Sequence, residues 1–184
     1  MSVDDNRDVI TFYGFYPNDW TFTFGDFSNT HYLLDKEYIS DGCSTLESSR
    51  ATLTRFLYPH HIKKTYFLEG VIRGHITLAA SGCSSHVTSY KVSVGKIHED
   101  TTDTPMATTN YVTVDKTLSY YTVGNGVNEE VVYPFWIDVI NEQKITDKER
   151  IYVKVEFVAE STVTLYHSND STWEDLKIEL PFRL

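Results

Sequence analysis

The clearest signal in the chain is a period of two. In Tyr66-Leu68-Gly70-Ile72-Gly74-Ile76-Leu78-Ala80 every second position is apolar or small, and Glu69, Arg73, His75 and Thr77 fall between them. At the C-terminus Leu176, Ile178, Leu180, Phe182 and Leu184 alternate with Lys177, Glu179, Pro181 and Arg183. Ile151, Val153, Val155 and Phe157 alternate with Tyr152, Lys154 and Glu156, and Val163 and Leu165 alternate with Thr162, Thr164 and Tyr166. Successive side chains on a strand point to opposite faces, so the pattern describes antiparallel strands with one face on a core and one in water. Gly70 and Gly74 weaken a flat ladder, which predicts a bend or bulge in the first of these strands.

From residue 64 onward there are eight strand candidates, at about 64–80, 87–98, 108–114, 117–122, 130–140, 150–158, 162–167 and 174–184. Turn-forming stretches separate them: Ser81-Gly82, Thr102-Asp103-Thr104-Pro105, Gly124-Asn125-Gly126 and Ser168-Asn169-Asp170-Ser171. The one helix candidate, 141–150, reads as a loop or a single turn. Segment 131–139 is apolar on both faces, as a central strand covered on both sides would be, whereas Pro134 lacks a donor and belongs at an edge. The expected fold class is all-β: an antiparallel, eight-stranded, jelly-roll-like β-sandwich over residues 64–184. Residues 1–63 read as an N-terminal extension or arm with short strands, including 51–57 ahead of Pro59.

Composition narrows the class without naming an activity. The chain has 184 residues, 41% of them hydrophobic and 23% charged, which suits one globular unit and not a disordered polymer. No apolar run of about 18 residues is present, so no membrane partner is expected. The start, MSVDDNRDVI, lacks the basic and apolar regions of a signal peptide, which argues against secretion. Sixteen Lys and Arg against 26 Asp and Glu give a net charge of −10, and a nucleic-acid backbone is not the expected partner, because that contact relies on cations.

Catalytic signatures are missing. There is no G-x-S-x-G elbow, H-E-x-x-H pair, P-loop or G-x-G-x-x-G turn, and the expectation is a non-enzyme with no cofactor and no metal. Zinc would have to use Cys83 and His86 with Cys43 and one of His60 or His61, without paired short spacings. The loop His98-Glu99-Asp100 with Asp103 offers oxygen ligands for calcium, but without a defined ligand spacing a solvated turn is the favoured reading. Cys43 and Cys83 read as two reduced thiols in turns, with a disulfide as the alternative if the turns meet. A glycosidase-like carboxylate pair about 5–10 Å apart is the weakest of the alternatives, since no pair stands out.

Aromatics, 14% of the chain, carry what functional signal remains. Most belong in a core. Phe12, Tyr16, Trp20, Phe22 and Phe24 cluster in the N-terminal extension, and such a face must be buried on this core or on a partner. In a carbohydrate-binding module, the alternative function, Trp20, Trp136 and Trp173 would be the stacking residues.

The last third also carries a family resemblance. Pro134-Phe135-Trp136-Ile137-Asp138-Val139 is followed by Glu149-Arg150-Ile151-Tyr152-Val153-Lys154-Val155-Glu156, then by Thr162-Val163-Thr164-Leu165-Tyr166-His167-Ser168-Asn169-Asp170 and the terminal Leu176-Lys177-Ile178-Glu179-Leu180-Pro181-Phe182-Arg183-Leu184. This run, with Phe67 to Ala80 and Val92 to Ile97, resembles the C-terminal half of jelly-roll virion proteins from tailed viruses of bacteria and archaea, over residues 65–184. In that group a Leu-x-His-x-x-Asp-like turn leads to a last strand finishing in Ile-Pro-Phe, which here reads Leu180-Pro181-Phe182. The resemblance implies a non-enzymatic structural protein located in the virion, decorating or building the outer surface of a capsid or tail, with no catalytic residues. It further implies a homo-oligomer, with threefold symmetry expected, and other virion proteins such as the major capsid protein as partners.

Overall fold

Strand follows strand through the computed structural model, which describes residues 7–15, 22–24, 27–29, 33–36, 45–48, 52–60, 62–80, 83–100, 102–121, 127–128, 130–161, 163–166 and 176–183. In chain order the elements are β1 (Arg7–Phe15), β2 (Phe22–Phe24), β3 (Phe27–Asn29), β4 (Leu33–Asp35), β5 (Thr45–Ser48), β6 (Thr52–Leu57), β7 (Tyr66–Ala80) and β8 (Ser85–His98). They continue as β9 (Asp103–Thr108), β10 (Val112–Leu118), β11 (Tyr120–Tyr121), β12 (Val127–Asn128), β13 (Glu130–Ile145), β14 (Glu149–Ala159), β15 (Val163–Tyr166) and β16 (Leu176–Arg183). The fold is all-β, as the period-two pattern requires. No helix among the described residues is long and apolar enough to cross a membrane.

Twelve strands form one sheet, in the order β10-β8-β14-β6-β4-β1-β16-β7-β15-β5, with β13 added beside β7 and β9 beside β8. Pairing is antiparallel except at one bridge, Leu33 to Leu57, between β4 and β6. The first 63 residues therefore supply strands to the body of the sheet: β1 lies along β16 from Arg7–Arg183 to Tyr13–Lys177, and β6 lies along β14. These additions replace the eight-strand count by a wider, continuous sheet. The sheet curls so far that its ends nearly meet. Tyr90 of β8 donates its hydroxyl hydrogen to the Pro134 carbonyl of β13 at 2.6 Å, and the Lys96 ammonium donates to the Lys144 carbonyl at 2.8 Å. Side chains, where a closed barrel would have a backbone ladder, span this seam.

Inside the curl lies a single apolar core. Ile72, Ile76 and Leu78 of β7, Val153, Val155 and Phe157 of β14, and Ile178 and Leu180 of β16 are all buried there, on the faces the alternation assigned to them. Full burial of each such side chain contributes about 1.5–3 kcal/mol.

One conflict in the sequence is resolved and two local expectations need correction. Segment 131–139 is an edge strand: among the described residues β13 pairs with β7 alone, its odd positions face the core, and its even positions face out. An edge tolerates Pro134, which removes the conflict in the sequence. Residues 141–145, read as loop, continue β13, and the chain turns at Thr146–Glu149 instead. Asp103-Thr104-Pro105, read as a turn, opens the edge strand β9; the turn sits earlier, where His98 N–H donates to the Thr102 carbonyl. The predicted bulge is present: Gly70 has φ of 108°, and Val139 lies opposite Gly70 while Gln143 lies opposite Leu68, so the residues from Ile140 to Glu142 fall outside the ladder.

Candidate interaction surface

On β13, the inward Tyr133, Phe135, Ile137 and Val139 are buried, while the outward Val132, Trp136 and Ile140 are exposed, Trp136 at 69% and Ile140 at 90%. Gly74 allows the close approach that sets this register. A Cβ there would come within 2.3 Å of the Lys177 carbonyl oxygen and 2.6 Å of the Phe135 ring. With Phe135 seated on Gly74, its neighbour Trp136 is turned to the outside, opposite Arg73 of β7. Arg73 in turn lies opposite Glu179 of β16. Val71, opposite Asp138, and Val9 on the outward side of β1 are exposed as well.

Across the seam, Tyr111 and Val112 of the β10 region are also exposed. They complete the large exposed hydrophobics of the described residues, and Val112 shares with Trp136 a hollow of about 410 Å³ that also reaches Asn110 and Asp138. A second hollow, about 570 Å³, lies on the other side of the indole against Val71 and Arg73. Trp136 thus stands between two open depressions, on a strand whose outer edge has no backbone ladder among the described residues. Unpaired strand edges and clustered apolar surface are the physical marks of a contact surface.

The opposite wall treats its outward aromatic differently. Tyr152 of β14 points away from the core, yet it is fully buried. Arg55 and Lys154 lie over its ring, 5.3 and 4.9 Å from the centroid, and both reach Asp103, at 2.7 and 2.5 Å. Burial, and then the Asp103 charge, push the Tyr152 phenol up to about 12. The Lys154 hydrogen bond overcomes partial burial and holds the Asp103 carboxyl below its ordinary value. Glu149 is buried, which alone would raise its carboxyl; bonds from Lys96 and the Thr146 N–H outweigh that and leave it low. Both carboxylates are shifted away from what a general acid requires.

The residues singled out by sequence are scattered. Phe12 is buried in this chain's own core at 1% exposure, edge-to-face with Tyr58, and so leaves the set of partner-facing aromatics. Phe22 and Phe24 lie on β2, which pairs with β3 in a small hairpin. Tyr16, Trp20 and Trp173 lie outside the described residues. Of the predicted aromatics whose exposure is described, Trp136 is on the surface and Phe12 is not, and the pattern missed the companions of Trp136, Val9, Val71, Val132 and Ile140, because alternation reads an apolar residue as covered.

The metal candidates that lie among the described residues do not converge. Cys83 is an exposed free cysteine; Cys43 and His61 lie outside the described residues. His86 contacts Asp115 at 2.9 Å and His60 contacts Asp35 at 3.6 Å. In the acidic loop Asp100 accepts from the Thr102 N–H, and Asp103 is taken by Arg55 and Lys154. Among the described residues no group of three or more His, Cys, Asp or Glu is placed to hold a metal ion.

A scan against protein-family models and a search of curated proteins both return no match. Two crystal structures of a CocE/NonD family hydrolase from Staphylococcus aureus are similar in fold, with TM-scores of 0.63 and 0.57. Each is 11% identical in sequence and covers 97% of this chain and 37% of the hydrolase. The chain therefore spans little more than a third of the hydrolase's length, and at that identity the likeness shows the fold alone.

Proposed function

We propose that the chain is a non-enzymatic structural subunit that builds or decorates the outer surface of a virion, and that copies of it associate through the outward face around Trp136. The observation that carries the association is the concentration of exposed apolar side chains on one side of the molecule, from Val9 and Val71 to Trp136 and Ile140. The virion setting rests on the resemblance of residues 65–184 to jelly-roll virion proteins. The net charge of −10 fits an outer surface better than one against packaged genome. A curled sheet suits repeated assembly, because its long outer edge at β13 is available for contacts while most strands are paired within the chain. The expected state is a homo-oligomer with threefold symmetry, seated on another virion protein such as the major capsid protein.

Light scattering on the eluting species, with the unmodified chain and with Trp136→Asp and Ile140→Asp, tests the association. Loss of the oligomer in a folded variant supports it; a wild-type monomer that never joins particles removes it.

A second function is favoured by one feature of the same surface. Trp136 is a flat indole between two hollows that carry Asn110, Asp138 and Arg73, and stacking on an aromatic flanked by hydrogen-bonding groups is how a sugar ring is held. In that case the chain is a carbohydrate-binding module, and a glycan array gives signals that Trp136→Ala abolishes. A silent array leaves the assembly function standing alone.

A further inference from the structure

Away from Trp136, a cavity of about 440 Å³ opens at the end of the curl where β1, the segment after β6, the start of β14 and the end of β16 converge. Its floor is apolar: Phe12, Ile62, Ile151 and Phe182 are all buried. Its walls are aromatic and mutually braced. The Tyr58 ring stands edge-on to Phe12 at 5.0 Å and to His60 at 5.3 Å, and Tyr66 packs on Phe182 at 5.4 Å. Its rim is cationic. Lys36 and Lys63 are both exposed there, and Lys36 Nζ lies 5.8 Å from the Tyr58 ring centre.

Charge is what separates this hollow from an ordinary surface dent. In a chain of net charge −10, no carboxylate is among the described groups that line it. The nearby Asp35 is engaged with His60 at 3.6 Å. We infer that this cavity binds a small amphipathic organic anion, an apolar or aromatic body carrying one carboxylate, sulfonate or phosphate. The body enters among the rings over Phe12 and Phe182, and the acidic head meets Lys36 and Lys63 at the mouth. The volume lies in the range of small-ligand sites, and the division into an apolar floor and a few charged groups is the usual plan of such a site. Neutral apolar molecules would fill the floor and leave the ammonium groups without a counter-charge. A free inorganic anion would meet the ammonium groups and leave the floor empty. The site is independent of the assembly surface and does not rest on the function proposed above.

The probe is 8-anilinonaphthalene-1-sulfonate, with N-phenyl-1-naphthylamine as its neutral counterpart, titrated by fluorescence into the full chain. Saturable binding of the sulfonate is expected, with the neutral compound weaker. Lys36→Glu with Lys63→Glu should weaken the sulfonate at least about tenfold, a change of roughly 1.4 kcal/mol, and bring the two compounds level. Ile10→Trp, at the partly buried edge of the cavity, should block both compounds. Trp136→Ala should leave binding unchanged, which separates this site from the assembly surface. Cooperative unfolding of each variant establishes that it is folded. Absence of saturable binding to the folded wild type overturns the inference, as does sulfonate binding that survives the charge reversals and Ile10→Trp.

Discussion

Two aromatic side chains point outward from opposite walls of the sheet, and they meet opposite fates. Tyr152 on β14 is sealed under Arg55, Lys154 and Asp103, while Trp136 on β13 stands 69% exposed between two hollows. The difference follows from position in the sheet. β14 is central, flanked by β6 and β8, so its outer face is covered by Arg55 from β6 on one side, by its own Lys154, and by the β9 carboxylate of Asp103 from the other side. Among the described residues β13 is an edge, flanked only by β7, and no described strand lies against its other side. One wall is covered within the chain; in the proposed assembly, the other is covered by a partner.

The largest expected effect breaks the finished wall. Tyr152→Ala should cost about 3 kcal/mol or more in urea unfolding, as removal of a buried aromatic does. Next in size, Gly95→Ala should cost about 1–3 kcal/mol, because its Cβ would lie 2.2 Å from the Tyr152 ring and 2.7 Å from the Thr104 carbonyl oxygen. Thermal melts of the purified variant check it; an unchanged Tm would mean that Tyr152 is not fixed over β8.

A smaller effect depends on pH. Asp103 has a carboxyl held below its ordinary value, so its ion pairs stabilise the fold above the unfolded-state pKa and lose that contribution as pH falls through the folded value. Asp103→Asn should therefore lower stability by about 0.5–1 kcal/mol near neutrality. The gap to the wild type should close below about pH 4, as Tm measured across pH will show. The smallest effect belongs to the open wall: Trp136→Ala should change the stability of the separated subunit by no more than about 0.5 kcal/mol. A large loss in the isolated subunit would mean that Trp136 serves the fold and not an interface.

Much of the fold was legible in the pattern. The strands around 64–80, 87–98, 150–158 and 174–184 lie close to β7, β8, β14 and β16, because alternation of core and solvent faces is a local property. The paired glycines foretold the bulge at Gly70, since a positive φ is cheap only there. Neighbour relations were not legible. Segment 131–139 reads as central because its outward residues are apolar, and Tyr152 reads as solvent-facing because it alternates with core valines. Sheet order reverses both. For the same reason Trp136 could be singled out as an aromatic to watch, whereas Val71 and Ile140, placed by the β13–β7 register and the bulge, and Val9, placed by the β1–β16 and β16–β7 pairings, could not be grouped with it: no local pattern spans those distances.

The central claim is that the outer face of β13 is completed by another copy of this chain. Its most direct test is the mass of the protein in solution by light scattering, for the wild type and for the Trp136→Asp, Ile140→Asp double variant. A closed oligomer is expected for the wild type, with three subunits, and a folded monomer for the variant. A wild-type monomer at every concentration, or an oligomer untouched by both charges, would contradict it.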